Sequence, residues 1–279
     1  MSQILYQFSE GIFQPIDWCD PSRQTTLVAD SFRLEDGHVV ALEKHLERFA
    51  HSVASHTDVT PQRLDQFLVS LRGVLPPQGS WFPRIEAVDT PGGASLRYRE
   101  RPAPPWESEV VIARASSDPR RFPHIKGPDL EALMALRTEV SRHNAQEAII
   151  TSEDGHLVEG AYSSLMVWLR DEPWPTVIPP STPHLPGVTE AVLREVASAN
   201  SMDVIERDLL VSDLEGAEVW ILSALHGIRV ATRFVEGPEL AKDTDRRALW
   251  QGLWRARASL AVSHDSPGIT QERGNRLPG

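Results

Sequence analysis

Gln146-Glu147-Ala148-Ile149-Ile150-Thr151-Ser152-Glu153-Asp154-Gly155-His156-Leu157-Val158-Glu159-Gly160 sets two apolar runs on either side of an Asp-Gly pair. Asp and Gly both tolerate the positive φ of a tight turn, so the stretch predicts a β-hairpin with Glu159 at the end of its second strand. Upstream, Asp129 is placed to cap a helix carrying Leu130, Leu133, Met134, Leu136 and Val140 on or near one face and ending around Asn144. Arg137 interrupts that face, which predicts a half-buried helix. Downstream, residues 165–169 form a further apolar strand. A proline-rich loop over 173–186 then leads to Gly187 and a helix from about 188 to 199. Residues 219–222 are a late strand running into Ser223-Ala224-Leu225-His226-Gly227. Hairpins with interspersed helices, without a strict βαβ series, predict an α+β fold.

The first hundred residues read in the same way. Residues 29–34 and 39–42 flank Glu35-Asp36-Gly37-His38 as a hairpin, and Leu42, Leu46, Phe49, Ala50 and Val53 then take up helical spacing. A second helix covers 62–74, and strands cover 81–88 and 95–101. Arg101-Pro102-Ala103-Pro104-Pro105 is the best linker in the chain, because proline favours extended backbone and lacks the N–H that a sheet ladder needs. The expected units are a smaller N-terminal α/β domain over 1–103, a larger C-terminal domain over 104–263, and a disordered polar tail over 264–279.

The chain has 279 residues, 41% hydrophobic and 24% charged, with 28 basic against 39 acidic residues and a net charge of −11. This is an ordinary globular composition, and the acidic balance argues against nucleic acid or an anionic membrane as partner. The lone Cys19 allows no intrachain disulfide and reads as a structural thiol. No signal peptide and no apolar run of about 18 residues is present, so the expected address is the cytoplasm.

Arginine far outnumbers lysine, and Lys44 and Lys242 sit in polar surroundings. Lys126 is different: it follows Phe122-Pro123-His124-Ile125 and precedes Gly127-Pro128 at a strand-to-helix junction, where a side chain can enter a cleft. With it comes an ordered set of short motifs: His45-Leu46-Glu47-Arg48-Phe49, Lys126, His156-Leu157-Val158-Glu159-Gly160, Leu185-Pro186-Gly187-Val188-Thr189, and Ser223 to Val230. In that order and spacing, from about residue 29 to 230, the chain resembles the fold-type IV enzymes of pyridoxal 5′-phosphate (PLP). These are the class IV aminotransferases, including the branched-chain and D-amino-acid aminotransferases and the aminodeoxychorismate lyases.

The resemblance implies a two-domain fold whose C-terminal, β-barrel-like domain with helices binds PLP. It makes Lys126 the Schiff-base lysine and general base, and Glu159 the acid that faces the pyridine nitrogen. Arg48 becomes the phosphate arginine, with Gly187, Val188 and Thr189 supplying helix N-terminal donors and Ser223 and Ala224 a further hydroxyl and amide. Ser31 falls where some lyases place an active-site hydroxyl. Arg97, Arg99 and Arg101 alternate along one strand, so all three share a face that could hold a substrate carboxylate, with Arg97 and Arg99 as the named candidates beside Ser31.

The chain departs from the family pattern at several places. Ala29-Asp30-Ser31 stands where Phe-Glu-Thr is usual, Glu190 where an arginine commonly follows Gly-Ile-Thr, and Ser164 where an asparagine is common. Glu131 stands in place of the tyrosine of the branched-chain enzymes. The expected activity is amino transfer from an amino acid to a 2-oxo acid. The alternatives are aminodeoxychorismate lyase activity, releasing pyruvate to form 4-aminobenzoate, and a PLP-binding protein without turnover. The expected partners are small-molecule substrates and a second copy of the chain. No metal is expected.

Overall fold

A computed structural model describes residues 3–16 and 25–262. Cys19 and the segment 264–279 lie outside the described residues. The first half runs β1 (Ile4–Ser9), β2 (Ile12–Ile16), β3 (Thr26–Ser31), β4 (Leu34–Glu35), β5 (His38–Val40), α1 (Leu42–His56), α2 (Pro61–Val74), β6 (Ser80–Trp81), β7 (Arg84–Val88) and β8 (Ser95–Glu100). The second half runs β9 (Glu109–Arg114), α3 (Leu130–Ser141), β10 (Glu147–Thr151), β11 (Leu157–Gly160), β12 (Ser164–Trp168), β13 (Thr176–Val177), α4 (Val188–Ala199), β14 (Ile205–Glu206), β15 (Glu218–Ser223), β16 (Gly227–Val235), α5 (Thr244–Arg255) and β17 (Ala258–Leu260).

An antiparallel five-stranded sheet, in the order β2-β1-β8-β7-β3, carries α1 and α2. Their apolar stripes meet it in a core of Phe8, Phe49, Phe67, Leu71 and Tyr98. Thr60 caps α2 by accepting from the Arg63 amide, and Pro61 sits at the first helical position, where its missing N–H costs nothing. The second half builds a mixed eight-stranded sheet, β11-β10-β9-β16-β15-β12-β13-β14, in which β9 runs parallel to both β10 and β16. This sheet curls so that the chain passes from β11 to β12 through a Gly160–Ser163 bridge. Against it α4 and α5 pack through Trp168, Trp220 and Trp250, whose ring centroids lie 5.4 to 5.5 Å apart. The α+β expectation and the curled second half agree with this architecture. Among the described residues, no helix is long and apolar enough to cross a membrane.

Several local expectations need correcting. The strand expected over 29–34 ends at Ser31, and the hairpin across Asp36-Gly37 joins only β4 and β5; both turn residues adopt positive φ. Asp129 donates no cap to α3: its carboxylate accepts instead from the Arg121 and Phe122 amides, pinning the loop that leads to Lys126. The helix is half buried as Arg137 implied, with Met134 56% exposed.

Candidate active site

A cavity of about 430 Å³, within the usual range for a small-molecule site, opens between the two halves. Lys126 enters it from a loop rather than from a strand end. The loop is held on the first half of the chain: Ala29 donates its amide to the Lys126 carbonyl at 2.7 Å. At Gly127, φ is +139°, and a Cβ would lie 2.8 Å from the Ala29 nitrogen and from the Val28 Cα. Only glycine permits that approach. Burial, and then the positive charges of Arg48 and Arg84, draw the Lys126 amine down to about 8 against the pull of Asp30 and Glu159. A substantial neutral fraction near physiological pH follows.

Glu159, on β11, faces the same cavity. Its partners are residues the sequence reading passed over. Arg120 Nη1 lies 2.5 Å from Glu159 Oε1, and the Leu185 amide donates to Oε2 at 3.2 Å. Arg120 is itself fixed by Asp118, at 2.8 Å through Nε and 2.7 Å through Nη2, and by the Pro183 carbonyl at 3.0 Å. Burial raises Glu159 to about 7 even with this guanidinium and amide beside it. The short Asp118-Pro119-Arg120 spacing was the one local clue, since an acid two residues before an arginine can lock it.

Arg48 reaches the cavity but is heavily engaged. Its Nε and Nη2 grip both oxygens of Asp30 at 2.8 and 2.9 Å, while Nη1 donates to the Pro186 carbonyl at 2.9 Å. Asp30 has no exposed surface, and His45 Nδ1 also lies 2.8 Å from its Oδ1. Burial pushes this carboxyl up, but Arg48 and His45 more than reverse that and hold it far below the usual carboxylate range. Burial lowers the His45 pKa below its ordinary value despite the opposing pull of Asp30. Arg48 and Asp30 therefore cancel as charges, and the arginine keeps two N–H bonds of its five for any further acceptor.

The helix end is better suited to an anion. Gly187 precedes α4, no side chain caps it, and Val188 and Thr189 line the cavity with it. A Cβ on Gly187 would lie 2.2 Å from Ser164 Oγ, so any side chain there has to displace that serine hydroxyl from the close fit of this loop on β12. The free amides and dipole of such an end favour a dianion. Ser223 and Ala224 complete this side of the cavity. Lysine, acid, uncapped helix end and cavity volume together fit PLP.

Ser31 lines the cavity and accepts from Arg101 Nη2 at 3.2 Å. The arginine ladder holds as a face: Arg84 pairs with Arg99 across β7 and β8, and Glu86 with Arg97. Arg97 and Arg99 do not line the cavity; Arg97 is buried and Arg99 bonds Glu86 at 2.9 Å. Two other arginines line the cavity on this side: Arg101, just past the end of β8, and Arg84, which faces Arg99 across β7 and β8. Burial and the neighbouring Arg84 and Arg99 lower Arg101 to about 10, with Glu86 the acid that opposes them.

A family model described as class IV amino-transferase matches residues 27–234. A bifunctional aminodeoxychorismate lyase / D-amino acid transaminase of Mycobacterium tuberculosis (strain ATCC 25618 / H37Rv) is 32% identical over 98 residues. That alignment takes in 33% of this chain and 34% of the relative, so the chain matches about a third of that protein's length. Among solved structures, the PLP-bound form of a hypothetical aminotransferase from Mycobacterium tuberculosis superposes with a TM-score of 0.73 at 18% identity, covering 92% of this chain and 98% of that one. The fold IV-transaminase CpuTA1 from Curtobacterium pusillum gives 0.73 at 19%, covering 91% and 98%. The Escherichia coli branched-chain amino acid aminotransferase gives 0.71 at 18%, covering 90% and 94%. At such identities these likenesses are of fold.

Proposed function

The chain belongs to the class IV aminotransferases, whose cofactor is PLP, and from that premise we propose that it moves an amino group from an amino acid to a 2-oxo acid with Lys126 as the cofactor-bearing residue. The observation that carries the reading is Lys126 itself: an amine drawn down to about 8, in one cavity with a buried acid and an uncapped helix end.

Bound PLP supplies a covalent anchor for the substrate amine and a ring that accepts the electrons left at Cα. The protein's part follows from the residues. Lys126 Nζ, neutral often enough to act as a base, takes the Cα proton and returns it on the other side of the transfer. Glu159 holds the ring N–H, and Arg120 with the Leu185 amide keep its carboxylate in place. The amides of Val188 and Thr189, the Thr189 hydroxyl, Ser223 and Ala224 hold the phosphate, with Arg48 adding directional N–H groups rather than net charge. Arg84, Arg101 and the Ser31 hydroxyl are placed to hold the substrate's α-carboxylate; this replaces Arg97 and Arg99 in that role.

A second reading, elimination of pyruvate from aminodeoxychorismate, draws support from the name of the Mycobacterium tuberculosis relative and from Ser31 lining the cavity. We further propose two units divided at 103/104, a homodimer, and a cytoplasmic location. The dimer is supported by two exposed apolar side chains, Phe122 on the Lys126 loop, which lines the cavity, and Met134 on α3.

The test is reconstitution with PLP, reduction with borohydride and peptide mapping. Label on Lys126, absent from Lys126→Ala, is expected; a protein that gains no visible absorbance, or carries label elsewhere, refutes the reading. Amine transfer from a panel of L- and D-amino acids to 2-oxoglutarate or pyruvate separates the aminotransferase from the lyase, which instead releases pyruvate from aminodeoxychorismate. Turnover in neither assay with the cofactor bound identifies the inactive alternative.

A further inference from the structure

Helix α5 contributes no lining residue to the cavity among those described, yet it grips the turn that forms one of its walls. The buried residues of α5 are Trp250, Gln251 and Trp254. The two tryptophans pack in the apolar core shared with α4 and the large sheet. Gln251, only 4% exposed, is polar. Burying a primary amide is unfavourable unless both of its ends find partners. Both ends of this one find the same short stretch of backbone. Oε1 accepts from the Ile228 amide at 2.8 Å, and Nε2 donates to the His226 carbonyl at 3.2 Å. Gly227, between them, has a φ of +67°, and a Cβ there would lie 2.6 Å from Gln251 Nε2. The amide thus fills the slot that the missing side chain leaves. One turn earlier on α5, Arg247 Nε donates to the Ile228 carbonyl at 3.1 Å.

The turn meets the cavity through Ser223, Ala224, Leu225 and His226. The backbone of His226 carries the grip of α5 across to that side. Its carbonyl is held by Gln251, and its amide donates to Ser223 Oγ at 3.3 Å. A hydroxyl that accepts one such bond keeps its own proton to donate. Ser223 Oγ is therefore held in place from behind, with its O–H left for an acceptor in the cavity. The tip of the turn is tied to the first half of the chain, since Arg33 Nη1 donates to the Leu225 carbonyl at 3.3 Å. Arg33 fixes the tip and Gln251 the strand that returns from it.

We propose that Gln251 is a positioning residue for the cofactor phosphate: by fixing the backbone of His226 and Ile228 it sets the place of Ser223 and Ala224, which hold that group. Without the amide, the Ile228 N–H and the His226 carbonyl lose these partners, and Ser223 loses the fixed amide that orients its hydroxyl. The phosphate end of the cofactor then loses part of its grip, while the ring end, held at Lys126 and Glu159, keeps its own. The phosphate role of Ser223 and Ala224 rests on the reading under "Proposed function"; the hold of Gln251 on the turn does not.

Two arms keep these apart. In the first, wild type and Gln251→Met are compared without PLP by amide hydrogen exchange. The backbone over 223–228 should exchange at least about tenfold faster in the variant, and that of β10 should exchange as in wild type. Equal exchange over 223–228, or faster exchange over both stretches, overturns the proposal.

In the second arm, PLP and pyridoxal, which lacks the phosphate, are titrated into each protein and the absorbance gained on binding is followed. Gln251→Met is expected to weaken PLP at least about tenfold, close to 1.4 kcal/mol, and to leave pyridoxal within about twofold. Trp254→Phe is the control for a general loosening of α5, because its ring packs in the same core and its Nε1 has no hydrogen-bond partner among the described residues. It should lower the unfolding midpoint and leave the ratio of the two affinities at the wild-type value. Equal weakening of PLP and pyridoxal by Gln251→Met, or a ratio that falls as far with Trp254→Phe, overturns the proposal. A wild type that gains no absorbance with either aldehyde refutes the functional reading instead, and the exchange arm still decides whether Gln251 holds the turn.

Discussion

Replacing Asp30 with asparagine keeps the shape of a side chain with no exposed surface and removes its charge. Four hydrogen bonds converge on that carboxylate: two from Arg48, one from His45 and one from the Ser31 amide. The asparagine NH₂ would point a donor at donors already there, and Arg48 would lose its counter-charge in a nearly dry setting. Breaking a buried ion pair from one side costs ~3–5 kcal/mol, a large share of the ~5–15 kcal/mol that holds a typical domain folded. With a urea slope near the top of the usual ~1–3 kcal/mol/M, the unfolding midpoint followed by circular dichroism should fall by roughly 1–2 M at pH 7. The effect has a pH signature. Asp30 has its folded pKa depressed, so its contribution is present above the unfolded value of about 3.9 and is lost only as pH falls towards the folded one. Wild type and Asp30→Asn should therefore differ most above pH 4 and converge in stronger acid. A loss below ~1 kcal/mol at pH 7, or a gap that does not narrow in acid, would sink the argument that this carboxylate is what fixes Arg48.

Gly187→Ala must move Ser164, whose Oγ would stand 2.2 Å from the new methyl. We expect a loss of ~1–3 kcal/mol and weaker PLP retention, with partial recovery of both when Ser164→Gly is added; no recovery in equilibrium dialysis would place the damage elsewhere. Lys126→Met should stabilise the cofactor-free protein at pH 7. A lysine lowered to about 8 binds fewer protons folded than unfolded between that pH and its ordinary value, so wild-type stability rises with pH across that window and the advantage of Met disappears above it. After discounting for solvent in the cavity the gain is ~2 kcal/mol, readable by chemical denaturation at pH 7 and pH 10.5, and a constant difference across pH would contradict it. Arg120→Met removes the guanidinium beside Glu159, so the acid should rise above about 7. The pH at which the bound-cofactor spectrum titrates should move upward, and an unchanged midpoint would show that Arg120 does not govern the acid.

What could be read from the sequence was whatever depends on neighbours along the chain. The Asp-Gly turns at 36–37 and 154–155, the helical spacing from Leu42 to Val53, and the glycine ahead of α4 are local signals, and the structure places elements there. The hairpin of β1 and β2 and the late helix α5 were missed. The turn of the first is Glu10-Gly11, a weaker signal than Asp-Gly, and α5 packs through Trp250 and Trp254 amid a polar, low-hydropathy segment. At the site, residue types were legible but partnerships were not. Nothing near Arg48 in the chain says that Asp30 will take its fork, because that contact depends on how α1 lies on β3. The arginine alternation on β8 announced a shared face, while the register between β7 and β8, and where β8 stops, decided that Arg101 and Arg84 reach the cavity.

The bond from the Ala29 amide to the Lys126 carbonyl, with Gly127 pressed against the Val28 backbone, stitches the amine-bearing loop of the later sequence to a strand of the earlier one. Cutting the chain in the proline-rich segment after residue 101 would thus yield two fragments of which neither possesses a finished reaction centre. The later piece would own the nucleophile without the surface that aims it, and the earlier piece the surface without the nucleophile. Complementation between two such co-expressed fragments would accordingly report docking of the halves and assembly of the centre as a single event.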